Sequence, residues 1–180
     1  MKEVIFAGFG GQGVLTAALA LAYTAMKADR NVTWLPSYGA AMRGGKANST
    51  VKFGDDADEN IEVPMMAEAD VLVAMNQPSL DYLKFCKEDA TLLVNLDAVP
   101  EDYNFPEKLH VVKLHCAELA YSVSNPKGAS IVVFGALMKT THYFSREAAC
   151  KAMCQMFEEK GKQKFEAVNV AAFNAGYDAV

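Results

Sequence analysis

The first residues whose spacing implies chemistry are the glycines at positions 8, 10, 11 and 13, with Phe9 and Gln12 between them. GFGGQG fits G-x-G-x-x-G, follows the apolar run Val4 to Ala7, and precedes an Ala- and Leu-rich run, Val14 to Met26, free of Gly and Pro. A glycine turn between strand and helix is the setting in which such a pattern cradles a phosphate. Glycine lets the backbone approach a ligand closely, and the first helical N–H groups point at it. The helix dipole adds about half a positive charge there. The competing reading is that the glycines only permit tight strand-to-helix packing, and spacing alone does not choose between the two.

A second glycine element follows in SYGAAMRGGK, Ser37 to Lys46. Gly39, Gly44 and Gly45 free the backbone around Arg43, whose planar guanidinium suits phosphate or carboxylate. Tyr38 can stack on a flat ring, close over a thiazolium or plug the core. From Arg30 to Gly54 there is no Asp or Glu, while Arg30, Arg43, Lys46 and Lys52 all fall there. The expectation is two acid-free bends standing side by side as a cradle for negative charge. A nicotinamide or flavin dinucleotide is disfavoured: the ribose-binding acid belongs ~20 residues beyond the glycines, where Trp34, Leu35, Pro36 and Ser37 stand. Arg43 meeting a 2′-phosphate keeps an NADP-type reading open.

Other candidates are weaker. Cys150 and Cys154 are four apart on a predicted helix and share a face, but two ligands without a nearby His or acid pair are too few for zinc; packing is preferred. His110 and His115 bracket a predicted strand with no nucleophile and base beside them, so no triad is proposed. His142 reads as a helix cap. Asp55, Asp56, Asp58 and Glu59 lack the central glycine and terminal glutamate of a calcium loop and read as a solvated turn. The methionines suit either a subunit interface or an irregular core.

The elements that must position these residues alternate. Strands are expected at Lys2 to Ala7, Asn31 to Leu35 (ended by Pro36), Ala47 to Phe53, Asp70 to Met75, Ala90 to Leu96 and Leu109 to Leu114. Helices are expected from Gly13 to about Ala28, from a Ser79 cap to about Lys87, and for a turn or two from Cys116. The last third reads as helices over Ala129 to Tyr143, Ser145 (N-cap) to Lys160, and Phe165 to Tyr177, with Gly161 as a stop. This order predicts a three-layer α/β/α domain over residues 1–180, with a mostly parallel Rossmann-like sheet and a helical C-terminal region.

Composition bounds the rest. A net charge of −5 disfavours nucleic acid as a partner of the whole chain. No stretch reaches the ~20 apolar residues of a membrane span, and none reads as a signal peptide, so a cytoplasmic location is expected. The four cysteines form no CxxC pair, so the chain shows no evident ligand set for an iron–sulfur cluster of its own.

GFGGQG followed about thirty residues later by SYG and RGG resembles the gamma subunit of 2-oxoacid:ferredoxin oxidoreductases. DVLVAMNQPSLDYL, Asp70 to Leu83, and GASIVVFGALMK, Gly128 to Lys139, extend the likeness over most of the chain. Indolepyruvate oxidoreductase small subunits share much of the pattern. The resemblance implies a complex that oxidatively decarboxylates a 2-oxoacid with thiamine diphosphate, passes electrons through iron–sulfur centres to ferredoxin, and forms an acyl-CoA. It places the thiamine diphosphate between alpha and beta subunits and the clusters on beta or delta subunits. The gamma chain then carries no cofactor alone, is inert alone, helps cover the active site, and self-associates if purified without its partners. The expected contacts to CoA or diphosphate are Gly8, Gly10, Gly11, Gln12, Gly13, Tyr38, Gly39, Arg43, Gly44 and Gly45, with no catalytic or metal-binding residue. 2-Oxoglutarate is the favoured substrate; branched 2-oxoacids and pyruvate stay open. The family often carries Pro-Glu where Ala40 and Ala41 stand, so a contact made by that glutamate is lost here. Two readings of other classes remain: a free-standing NADP-binding oxidoreductase and a non-catalytic scaffold.

Overall fold

The computed structural model describes residues 1–39, 44–61 and 68–180. Six strands form one sheet in the order β2-β3-β1-β4-β5-β6. They are β1 (Lys2–Phe9), β2 (Val32–Tyr38), β3 (Lys46–Phe53), β4 (Ala69–Ala74), β5 (Cys86–Asn95) and β6 (His110–Leu114). Strands β1, β4, β5 and β6 pair in parallel, whereas β3 runs antiparallel to both β1 and β2. The mostly parallel sheet is thus a mixed one, with β2 and β3 forming a hairpin at one edge. Strand β2 runs on through Pro36 to Tyr38, past its expected end. It is the outermost strand, and an edge is where a sheet tolerates proline.

Residues Val4 to Ala7 of β1 have no exposed surface on either face. That explains their unbroken apolar run, the signature of a strand covered on both sides. Val4 and Phe6 join the larger core with helices α1 (Val14–Lys27), α2 (Cys116–Ser122), α3 (Ala129–Thr141), α4 (Arg146–Glu159) and α5 (Glu166–Asp178). Ile5 and Ala7 join a smaller core, covered by a 3-10 helix, Gln77–Phe85, and by residues of the 96–109 connection. The sandwich is α/β/α as expected, with one thick and one thin outer layer. The thin layer's helix begins at Gln77 rather than after Ser79. Asn76 is its cap, accepting from the Ser79 N–H at 3.1 Å, with Pro78 in the first turn.

Helix α3 is buried all round from Ser130 to Met138. It meets α5 backbone to backbone: a Cβ on Gly135 would lie 2.0 Å from the Phe173 carbonyl oxygen, and one on Gly176 would lie 1.8 Å from that of Val132. Ser145 caps α4 by accepting from the Ala148 N–H at 3.2 Å, and Gly161 follows the helix with φ 67°, both as the sequence suggested. His142 ends α3 in the left-handed conformation, its N–H bonded to the Met138 carbonyl at 3.0 Å. Among the described residues no helix is long and apolar enough to cross a membrane.

Candidate functional site

The turn from Phe9 to Gly13 links β1 to α1 at the C-terminal edge of the sheet. The four glycines serve different ends. A Cβ on Gly8 would meet Val14 Cγ2 at 2.5 Å and Gln12 Oε1 at 2.9 Å, so Gly8 is there for space. Gly11 has φ 102° with nothing within 4 Å of a built Cβ; it supplies conformation beside open room. Gly13 does both. Its φ is 75°, and a Cβ would lie 2.4 Å from Ser130 Oγ, so α3 closes down on the start of α1. Gly10 donates to the Gly45 carbonyl at 2.9 Å, and the Gly10 carbonyl accepts from the Gly44 N–H at 3.3 Å. The two glycine elements therefore dock on each other through two backbone hydrogen bonds. Arg43, Ala40 and Ala41 lie outside the described residues.

Gln12 faces inward. Its Oε1 accepts from the Phe9 N–H at 2.7 Å and its Nε2 donates to the Met75 carbonyl at 3.1 Å. Tyr38, 61% exposed, stands with Phe9, Gly10, Gly11, Val14 and Ala47 around an apolar cleft of about 450 Å³. Gly39 is exposed, its N–H bonded to the Lys46 carbonyl at 3.2 Å across the hairpin end. Lys46 pairs with Asp81 at 3.7 Å, both exposed.

The neighbouring cleft, of about 580 Å³, shares Gly13 and Thr16 with the first. Sequence reasoning missed it because its residues come from three distant segments. The N-termini of α1 and α3 both open onto it; neither has a side-chain cap or an acidic residue in its first turn. Lys127, Lys162 and Lys164 line it. Ser130, only 5% exposed, lines it too. Asn125 and Asn169 close the floor, joined Nδ2 to Oδ1 at 3.0 Å. Uncapped helix starts carry unpaired N–H groups and partial positive charge. Two of them beside three lysines and Ser130 form an arrangement with the chemistry to hold an anion. Beside the cleft's Lys162 in sequence, burial first and then Lys162 itself pull the Lys160 ammonium below its ordinary value.

The remaining candidates fall elsewhere. Cys150 and Cys154 sit on α4 away from both clefts, and burial is the main cause that raises each thiol, Cys154 to about 12. Among the described residues no group of three or more His, Cys, Asp or Glu is placed to hold a metal. His115 lies 3.4 Å from Asp97 and 3.5 Å from Glu101, at the far end of the sheet edge. Asp55 and Glu59 pair with the amino terminus, and Asp56 accepts from the N–H groups of Asp58 and Glu59. The turn is tied to the amino terminus and, through Asn31 Nδ2 on the Ala57 and Glu59 carbonyls, to the start of β2.

Comparison with known proteins gives a consistent neighbourhood. The family model described as pyruvate ferredoxin/flavodoxin oxidoreductase matches residues 3–179. The chain is 32% identical over 180 residues to the 2-oxoglutarate synthase subunit KorC of Methanocaldococcus jannaschii, covering 98% of this chain and 92% of that one. It is also 32% identical over 177 residues to the ketoisovalerate oxidoreductase subunit VorA of Methanothermobacter marburgensis, but spans only 36% of that longer protein. Among solved structures, the keto/oxoacid ferredoxin oxidoreductase gamma subunit from Geobacter sulfurreducens PCA superposes with a TM-score of 0.81 at 28% identity, covering 99% of this chain and 98% of that one.

Proposed function

The chain belongs to the pyruvate ferredoxin/flavodoxin oxidoreductase family, and from that premise we propose that it is the gamma subunit of a 2-oxoacid:ferredoxin oxidoreductase whose adjoining clefts hold coenzyme A. The complex would convert a 2-oxoacid, coenzyme A and oxidised ferredoxin to acyl-CoA, carbon dioxide and reduced ferredoxin. Thiamine diphosphate and iron–sulfur clusters would belong to alpha, beta or delta partners, and this chain would be inert without them. 2-Oxoglutarate is the favoured substrate because KorC combines 32% identity with a match over 92% of its own length, whereas the subunits IorB and PorC, matched over 94% of theirs, are 26% and 29% identical. VorA, at equal identity, keeps the branched 2-oxoacids as the alternative.

The observation that carries the reading is the shared mouth at Gly13 and Thr16. On one side lie apolar walls with Phe9 and Tyr38; on the other lie Lys127, Lys162, Lys164 and Ser130. Coenzyme A needs that division: a flat ring and an apolar arm at some points, phosphates at others. The phosphates suit the basic side, where helix starts supply N–H donors without competing acids. The chain's own work is to bind and orient. Coenzyme A supplies the thiol that accepts the acyl group; no residue of the described chain is placed as its base.

The test is coenzyme A kinetics of the assembled complex with Lys127, Lys162 and Lys164 changed to Ala. A rise of about tenfold or more in the KM for coenzyme A is expected, with the KM for the 2-oxoacid unmoved. Titration of the unchanged complex with NADPH separates the NADP alternative. Coenzyme A kinetics indifferent to all three lysines would remove the basic cleft from the reaction.

A further inference from the structure

Under the glycine turn runs a line of side-chain amides that no ligand contact accounts for. Gln12 Oε1 accepts from Asn76 Nδ2 at 2.9 Å as well as from the Phe9 N–H at 2.7 Å. The Met75 carbonyl accepts from Gln12 Nε2 at 3.1 Å and from Asn95 Nδ2 at 3.3 Å. Asn95 Oδ1 accepts from the N–H of Cys116, the first residue of α2, at 3.2 Å and of Asp97 at 3.3 Å. Asn76 Oδ1 accepts from Ser79 twice, N–H at 3.1 Å and hydroxyl at 2.7 Å. Asn76 and Asn95 are 3% and 4% exposed, so neither reaches a ligand.

The line is saturated where it matters. The Gln12 carbonyl and the Met75 carbonyl each use two acceptor sites, the full capacity of such an oxygen. It runs from the C-terminal end of β1, under those of β4 and β5, to the start of α2. A turn of four glycines in six residues does not hold one shape by itself, because glycine loses the most conformational freedom on ordering. From the β3 side, Gly44 and Gly45 hold Gly10. On the β4 side, Gln12 ties the turn to the Met75 carbonyl, and Gln12 is itself oriented by Asn76 and by the carbonyl that Asn95 shares.

We propose that Asn76 and Asn95 are positioning residues which, acting through Gln12 and the Met75 carbonyl, lock the Phe9–Gly13 turn in its ligand-binding shape. The ligand half rests on the coenzyme A reading above; the lock itself does not. A chain of mutually satisfied amides in a low-dielectric setting strengthens cooperatively, so loosening one end is felt at the other. Asn95 is the informative end, since it lies remote from both clefts.

The experiment uses the assembled complex and two variants. Asn95→Asp keeps both bonds that Asn95 accepts and sets a buried carboxylate oxygen against the Met75 carbonyl where the donor stood. Gln12→Met keeps the volume and removes every bond of the amide without adding charge, which covers the case of an Asn95→Asp chain that does not assemble. Hydrogen exchange read by mass spectrometry reports the peptide around Phe9; steady-state kinetics report coenzyme A. The expected result is at least tenfold faster exchange at the turn in both variants. The KM for coenzyme A should rise about five- to tenfold, with kcat within twofold. Exchange at the turn unchanged in both variants overturns the lock, whatever coenzyme A does. Faster exchange with an unmoved KM overturns the positioning role. Failure of the coenzyme A reading itself shows separately, as a lack of binding in the unchanged complex.

Discussion

Replacing Gly13 with alanine imposes two costs that can be measured apart. The first is conformational: φ is 75°, and a residue with a Cβ in the left-handed region is disfavoured by about 1–2 kcal/mol. The second is overlap, since the new Cβ would lie 2.4 Å from Ser130 Oγ and 2.6 Å from Ser130 Cβ. Both neighbours belong to a buried residue of α3, so relief needs the helix to shift; overpacking of this kind costs about 1–3 kcal/mol. The sum is about 2–5 kcal/mol, a fall in Tm of roughly 4–20 °C for a chain of this size. Ser130→Gly removes both overlapping atoms at a cost of about 1 kcal/mol for glycine in a helix. The double variant should then retain the conformational cost of Gly13→Ala and the helix cost of Ser130→Gly, without the overlap. A double-mutant cycle by thermal unfolding should return a favourable coupling of about 1–3 kcal/mol. Gly11→Ala is the control: its φ is 102° but nothing lies within 4 Å, so the strain appears without the overlap and without coupling to Ser130. Costs of Gly13→Ala and Ser130→Gly that simply add, within about 0.5 kcal/mol, would show that α3 does not press on the turn.

Two further outcomes follow from burial. Gly176→Ala puts a Cβ 1.8 Å from the Val132 carbonyl oxygen, backbone that cannot rotate away; α3 and α5 must separate, and the folded yield should collapse while exposed Ala179→Gly does not affect it. Burial pushes the Cys116 thiol up to about 12, above its ordinary value near 9. Below about pH 9 the thiol is protonated in folded and unfolded chains alike; above it the unfolded chain loses the proton first, so stability falls with rising pH, by at most about 1.4 kcal/mol per pH unit. Urea midpoints between pH 8.5 and 10.5 should therefore drop less in Cys116→Ala than in the unchanged chain, and parallel slopes would contradict the buried thiol's part in it.

The helices of the last third were legible because their punctuation is local. Ser145 as a cap, Gly161 as a stop and the apolar block of α3 act within a few residues of themselves. The glycine turn was legible as a pattern but not in its division of labour. Packing and ligand access compete as explanations only when the glycines are taken together. Gly8 and Gly13 answer to Val14 and Ser130, while Gly11 answers to open space. What makes Gly13 necessary is a serine 117 positions later, and no local signal carries that. The basic cleft was hidden for the same reason. Lys127, Lys162 and Lys164 look like solvated charges in sequence and converge only once α3 and α5 pack across each other. Gln12 was read as a ligand contact from its place between glycines, whereas its hydrogen bonds run down to Phe9, Met75 and Asn76.

The strand that breaks the parallel pattern is the one that assembles the site. In an open α/β sheet the ligand crevice lies outside the carboxyl ends of the strands, where neighbouring connections diverge. Here the divergence is at β1, between β3 on one side and β4 on the other. Had β3 run parallel to β1, its first residue would lie at the opposite end of the sheet. The connection from β2 would then have to cross the sheet's length before entering it. Because β3 runs antiparallel, Phe9 pairs with Lys46, and Gly39, Gly44 and Gly45 are held at the edge where β1 gives way to its turn. Gly44 and Gly45 then have no choice but to meet Gly10. Of the cations in the acid-free stretch from Arg30 to Gly54, Lys46 stands at the turn and pairs with Asp81, whereas Lys52 pairs with Glu3 and Arg30 meets the Gly54 carbonyl at the opposite end of the hairpin. On this argument, changing the register of β2 against β3 should damage the site more than removing any one of its charges.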